Sequence, residues 1–124
     1  MKTILALAVL LCVAGCSPQK DLAHRLKGAD RLNAAGVRDP EGTVGMTITG
    51  TNLSNVVQAI ANAQEEPRSI AASPELRLEF YKGTQHLATI TKSGIAFWIR
   101  DIPYSDRSGT FEKLFSGFYG VLPP

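Results

Sequence analysis

The sequence has few of the side chains that most often build catalytic and metal sites. It contains two cysteines and two histidines among 124 residues, and it has no G-x-x-x-x-G-K-[ST], H-E-x-x-H, C-x-x-C or G-x-S-x-G motif. Basic and acidic residues nearly balance, at 13 against 11, and the basic residues are scattered singly. These absences argue against a zinc site, a phosphate loop and a nucleic-acid surface.

Long apolar runs are also missing, except for one near the N-terminus. An uninterrupted apolar segment extends from Ile4 to Ala14, directly behind Lys2. Because a membrane-spanning helix needs about 20 apolar residues, this shorter run predicts the hydrophobic region of an export signal.

The apolar run ends in the tetrapeptide Val13-Ala14-Gly15-Cys16. This segment resembles the lipobox of bacterial lipoproteins, which implies removal of residues 1–15 and attachment of a diacylglyceryl group to the thiol of Cys16. Cys12 would leave with the signal. An ordinary secretory signal in which Cys16 is incidental is the alternative, and cleavage sites of the A-x-A type fit this sequence poorly.

The resemblance implies a location in the cell envelope. Two or three acyl chains hold a protein to a membrane essentially for good, since each buried methylene contributes about 0.8 kcal/mol. Ser17 stands where aspartate favours retention in the inner membrane of enterobacteria, so the outer membrane, facing the periplasm, is expected. The membrane is then the one implied partner, and neither nucleic acid nor a cofactor is expected. More broadly, the chain resembles the small envelope lipoproteins of Gram-negative bacteria whose roles are not assigned.

The chain that follows the signal is long enough for one modest core. We expect the lipidated Cys16 and a short tether to occupy residues 16–28, with a short helix in which Leu22, Ala23 and Leu26 share one face. Residues 29–124 are expected to form a single α+β domain.

Period-two alternation of apolar residues predicts most of the strands. VGMTITG is predicted as one strand, and LRLEFY, HLATIT and IAFWIR as a meander of three. RLNAAGV is a candidate for a further short strand ahead of them. The residues expected to face the core are Leu76, Leu78, Phe80, Ile95, Phe97 and Ile99. The result is a small antiparallel sheet of about four strands.

One main helix is predicted from Leu53 to Glu66, capped by Thr51 or Asn52 and ended by Pro67. Its apolar stripe would be Leu53, Val56, Val57, Ile60 and Ala61. A short C-terminal helix would place Phe111, Leu114, Phe115 and Phe118 on one side. The two helices and the sheet give an α+β fold.

Candidate chemistry is sparse. Asp101 and Asp106 flank Pro103 in a predicted loop and could form an acid/base pair, which makes a small hydrolase using residues 101–108 one alternative. Turn-forming aspartates are the plainer interpretation. The histidines His24 and His86 are interpreted as surface residues.

Two hairpin segments resemble loop motifs of periplasmic lysozyme-inhibitor lipoproteins: Tyr81-Lys82-Gly83 and Ser93-Gly94. This resemblance implies an enzyme inhibitor that inserts a hairpin into the enzyme's cleft. The internal disulfide common in that family has no counterpart here, and the central helix departs from its all-β barrel.

The leading expectation is a lipid-anchored, non-enzymatic module that binds another envelope protein or has a structural role such as contacting peptidoglycan. Alternation turns one set of large polar and aromatic residues away from the main helix, a composition typical of binding hot spots. The candidate binding surface comprises Arg77, Tyr81, Trp98 and Arg100, with Glu79 beside them. Burial of Trp98 under the C-terminal helix is the competing and favoured expectation.

Overall fold

A computed structural model describes residues 17–39, 45–67 and 73–116. Within these ranges the chain forms three helices: α1 (Pro18–Leu26), α2 (Gly50–Asn62) and α3 (Thr110–Phe115). None of the described helices has the length and apolar character needed to cross a membrane. The strands are β1 (Arg31–Gly36), β2 (Gly45–Ile48), β3 (Gln64–Glu65), β4 (Leu76–Lys82), β5 (Gln85–Ser93), β6 (Ala96–Ile99) and β7 (Ile102–Ser105).

The strands form one antiparallel sheet in the order β2-β1-β4-β5-β6-β7-β3. Consecutive hairpins join β4 to β7, which confirms the predicted meander and extends it by one strand. The α+β class is confirmed, whereas the predicted count of about four strands is too low, since the sheet has seven.

The helices cover one side of the sheet and share a single hydrophobic core with it. The alternation in β4 shows the division clearly: Leu76, Leu78 and Phe80 are fully buried, while the residues between them are half-buried on the other side. The side of the sheet opposite the helices is called the open face below.

The helix α2 ends earlier than its sequence predicts. It stops at Asn62 rather than Glu66, because Gln64 and Glu65 pair with Ser105 and Tyr104 of β7. The residues buried in the core are Leu53, Val56, Ala59 and Ile60. Val57 and Ala61, predicted for the same stripe, are only half-buried. The cap is Thr49 rather than Thr51 or Asn52.

A polar contact joins the first turn of α1 to the end of α2. The side chain of Ser17 accepts a hydrogen bond from the Lys20 amide and caps the helix. The Gln19 amide donates to the carbonyl oxygens of Ile60, at 2.8 Å, and Ala63, at 2.6 Å. The last carbonyls of a helix lack the usual amide donor four residues on, and that of Ile60 accepts a long bond from the Ala63 amide at 3.4 Å; Gln19 supplies a further donor there. The expected burial of Leu22, Ala23 and Leu26 is confirmed.

The segment predicted as a loop over 101–108 contains a strand. Arg100 and Asp101 have φ values of 50° and 67° and form the two-residue turn between β6 and β7. Hairpin turns of this kind favour positive φ because it matches the twist of the strands.

Ile95 lies in the turn between β5 and β6 and is 43% exposed, so its predicted place in the core is wrong.

Candidate functional site

Several predicted features lie outside the described residues. These are Cys16 with the signal segment before it, and Phe118 of the predicted C-terminal helix. The remaining candidate residues are all described.

The open face carries a row of side chains across the meander. Strand register places Arg77 opposite Thr91, Thr91 opposite Trp98, and Trp98 opposite Pro103. All four residues are half-buried. Because neighbouring strands lie about 4.8 Å apart, Arg77 and Trp98 are about 10 Å apart along this row. The structure therefore brings together two of the four predicted surface residues.

The helix α3 does not cover Trp98. Phe111 of α3 lies 5.4 Å from Phe97, ring centre to ring centre, and Phe97 also stacks on Tyr104 at 5.5 Å. Successive residues of a strand point to opposite sides of the sheet, so Phe97 and Trp98 face different ways. The favoured expectation that α3 buries Trp98 is therefore wrong.

Arg77 is held in place by two polar contacts. Its guanidinium donates to the carbonyl oxygen of Asp39 at 3.5 Å and lies 3.7 Å from the carboxylate of Glu79. The open face thus presents an oriented cation, Arg77, and a carboxylate, Glu79, two residues apart on β4. Thr91 lies on the neighbouring strand β5, and Trp98 lies on β6, the next strand.

Tyr81 belongs to a separate cluster at the far end of β4. The guanidinium of Arg31 lies 4.6 Å from the centre of the Tyr81 ring, a cation–π distance, and His86 meets the same ring edge-on at 5.4 Å. Four residues of extended strand separate Tyr81 from Arg77, which is about 13 Å. Arg100 is exposed in the β6–β7 turn, two residues beyond Trp98, and is not part of the row across the strands.

Lys92 is a buried cation that sequence reasoning missed. It lies on the core side of β5, is 3% exposed, and has its ammonium 5.0 Å from the centre of the Phe115 ring. Burial lowers the pKa of Lys92, and the nearby Glu75 carboxylate partly offsets that shift. Alternation along the strand could have indicated that Lys92 faces the core. Ile90 is buried, and a residue two positions further along a strand faces the same way.

Asp106 is also buried, at 2% exposure, and the hydrogen bonds of its carboxylate are local. One carboxylate oxygen accepts from the amide of Phe111 at 2.8 Å, and the other accepts from the amide and hydroxyl of Ser108. The carboxylate therefore caps the start of α3. Asp101 is exposed at the opposite end of β7, so the structure does not bring the two aspartates together as an acid/base pair.

Glu66 and Tyr104 have shifted pKa values around the β3–β7 pairing. Hydrogen bonding from Ser105 and Arg107 lowers the pKa of Glu66, and the guanidinium of Arg107 lies 3.2 Å away. Burial, followed by the negative charge of Glu65, raises the pKa of Tyr104. These shifts have structural causes, since each group contributes to packing or pairing at the edge of the sheet.

The two segments that resemble lysozyme-inhibitor loops lie at opposite ends of β5. Tyr81-Lys82-Gly83 forms the β4–β5 hairpin and Ser93-Gly94 the β5–β6 hairpin. The strand between them has nine residues, so the hairpins are about 30 Å apart.

A groove with a volume of about 240 Å³ separates α1 from α2. Its lining is largely apolar, with Ala23 and Leu26 from α1 and Val57 and Ala61 from α2, and Lys27 is its charged side chain. The half-burial of Val57 and Ala61 is explained by this groove, which keeps α1 from closing over them.

The parts of the chain that the structure describes hold no group of three or more histidine, cysteine, aspartate or glutamate side chains placed to bind a metal. No family model, no curated protein and no solved structure matches this chain.

Proposed function

We propose that the protein is a lipid-anchored, non-enzymatic component of the cell envelope that presents the open face of its sheet to another protein. The acyl chains would be attached to Cys16 and inserted into the membrane, expected to be the outer membrane. The folded domain would face the periplasm. The observation that carries the binding role is the half-exposed Trp98, which has no described helix over it and lies in one row with Arg77.

Tryptophan and arginine are the side chains most enriched among residues that dominate binding energy at interfaces. Here both are held by the sheet, and Arg77 is further oriented by Asp39 and Glu79. A preorganised side chain loses less conformational entropy when a partner binds. The open face therefore has the composition and the rigidity of a binding surface.

The anchor is tested by metabolic labelling of the full-length chain in a Gram-negative host. The native protein is expected to incorporate labelled palmitate and to sediment with membranes. Cys16→Ser removes the only thiol at the processing site, so this variant should remain an unprocessed, unlabelled precursor. Normal maturation of Cys16→Ser, with no label on the native protein, would refute lipid attachment.

The binding role is tested by placing a photo-crosslinking amino acid on either side of the molecule in intact cells. A probe at Thr91 is expected to yield a discrete crosslinked product, and a probe at Asn55, exposed on α2, should not yield the same product. Trp98→Ser should reduce the Thr91 product several-fold, whereas His86→Gln, distant on the same sheet, should leave it unchanged. Identical products from both probe positions would refute a specific open-face interface.

A further inference from the structure

The side of α1 turned away from the sheet carries a row of basic side chains. Leu22 and Leu26 point into the core, which leaves Lys20, His24 and Lys27 exposed. Their i, i+4 and i+7 spacing places them one above another along the helix. This set is called the basic row.

The basic row borders the α1–α2 groove. Lys27 belongs to both, and Ala23, which lines the groove, lies one turn of helix before it. On α2, Ser54 and Gln58 form the outer rim of the groove and are exposed. The outer side of the two helices therefore combines cationic side chains with an apolar groove.

Among the residues that the structure describes, no acidic side chain lies in the basic row or lines the groove. Asp21 of α1 lies on the neighbouring row, 3.4 Å from its partner Arg25. A basic row beside apolar side chains is the pattern of helices that lie in the interface of anionic membranes. Charge complementarity thus favours an anionic phospholipid surface.

The position of α1 along the chain brings this surface to the bilayer. The helix begins at Pro18, with Ser17 as its cap, so only two residues of backbone, about 7 Å at full extension, separate it from Cys16. If Cys16 is lipidated, as proposed above, the first turn of α1 must lie at the membrane interface. Gln19 joins that turn to the end of α2, so both helices are held there.

We propose that the outer side of α1 and α2 is a membrane-docking surface, in which the basic row contacts anionic phospholipid headgroups and the groove faces the bilayer. This inference rests on the lipid anchor of the proposed function. It gives the anchored domain a fixed orientation, with the open face turned away from the membrane and towards the periplasm.

The test measures which side of the anchored protein lies near the lipid headgroups. The mature chain would carry no free thiol, so Ser54→Cys reports on the outer side of α2 and Thr47→Cys on the open face; both positions are exposed. Each full-length, lipidated variant is labelled with a fluorophore and reconstituted into vesicles containing phosphatidylglycerol and a headgroup-spin-labelled quenching lipid. Quenching at position 54 is expected to exceed that at position 47 at least three-fold.

Charge variants identify the cause of the orientation. Lys20→Gln with Lys27→Gln is expected to bring the quenching ratio close to one, as should vesicles of phosphatidylcholine without an anionic lipid. Arg38→Gln with Arg100→Gln removes the same number of charges from exposed positions elsewhere and should leave the ratio unchanged. Circular dichroism of each variant verifies that the fold is retained.

Two outcomes overturn the proposal and are distinguishable. Equal quenching at both positions, or stronger quenching at position 47, in a protein that carries palmitate and sediments with vesicles would refute the docking surface and leave the anchor intact. Failure of the native chain to incorporate palmitate or to sediment would refute both the anchor and the docking surface.

Discussion

Single polar side chains provide hydrogen-bond partners for the backbone at two helix ends of this small protein. Gln19 satisfies the end of α2, and Asp106 satisfies the start of α3. Each contact replaces hydrogen bonds that water would make in the unfolded chain. The free-energy cost of removing the Asp106 carboxylate exceeds the worth of an average hydrogen bond, because the abandoned amide of Phe111 stays buried.

Asp106→Ala tests the cap of α3. The substitution leaves the amide of Phe111 buried and without its 2.8 Å acceptor, so we expect the free energy of unfolding to fall by about 1–3 kcal/mol. Urea titration measures this change. The exposed Asp21→Ala provides the control and should change stability by no more than about 0.5 kcal/mol. Equal effects of the two substitutions would contradict the assigned cap.

Lys92→Met tests the buried cation. Methionine keeps most of the volume and removes the charge, so stability at pH 7 should be unchanged or higher. Because burial lowers the pKa of Lys92 in the folded state, the unfolded chain binds more protons between the folded and unfolded pKa values. The stability of the native protein should therefore rise, relative to Lys92→Met, as the pH increases through the range between these two pKa values.

Chemical denaturation at pH 7 and at pH 9.5 measures this difference. Lys113→Met, at an exposed position of α3, controls for general effects of alkaline pH. A loss of more than about 1 kcal/mol in Lys92→Met at pH 7 would contradict the argument, because it would mean that the ammonium stabilises the core it occupies.

At the scale of elements, α2 divides into a side committed to the core and a side that borders the groove. Ile60 is completely buried and Val57 is half-buried beside α1. One row of α2 residues therefore packs in the core, and the neighbouring row lines the α1–α2 groove.

Ile60→Ala and Val57→Ala measure this division. Truncating Ile60 leaves a cavity, and we expect a loss of about 2–5 kcal/mol, whereas Val57→Ala should cost about 1 kcal/mol or less because its neighbours are already loosely packed. Thermal unfolding of the full chain compares the two. Equal losses would mean that the groove is closed in solution and that Val57 is a core residue.

Five of the seven described strands are indicated by the sequence, and the other two, β3 and β7, are not. β4 alternates without interruption, and its inward face of Leu76, Leu78 and Phe80 is predicted correctly. β5 is predicted as well, although a register shift interrupts its pairing with β4. β7 was missed because Pro103 lies inside it and turn-forming aspartates flank it. β3 has two residues, which is too few to show any period.

The candidate surface was predicted in part for the same reason. Alternation correctly placed Arg77 and Trp98 on one side of the sheet. The alternation could not show that α3 packs on the opposite side of the sheet. Contacts between Phe111 and Phe97, which are distant in sequence, determine where α3 packs. Nor could the alternation identify the α1–α2 groove, which depends on how closely two helices approach.

At the scale of the whole molecule, the two sides of the sheet present different surfaces to the exterior. The helical side carries the basic row and the groove, and the open face carries Trp98, the only tryptophan in the chain. Emission from this residue therefore reports on the open face alone.

Acrylamide quenching tests the exposure of Trp98. In the folded protein we expect quenching that is intermediate between a buried indole and the urea-unfolded chain, since the residue is half-buried. Phe111→Leu loosens the packing of α3 and should leave the quenching unchanged, because α3 lies on the other side of the sheet. A marked increase in Phe111→Leu would instead show that α3 shields the indole.

The two ends of the sheet limit how the protein can associate with copies of itself. The terminal strands β2 and β3 have four and two residues, and at the β3 end the carbonyl oxygen of Pro103 already accepts from the amide of Glu66 at 2.9 Å. Proline has no amide hydrogen to offer, and short edge strands give an incoming strand few hydrogen bonds. Neighbouring copies of the protein would therefore gain little from strand-to-strand growth into fibrils.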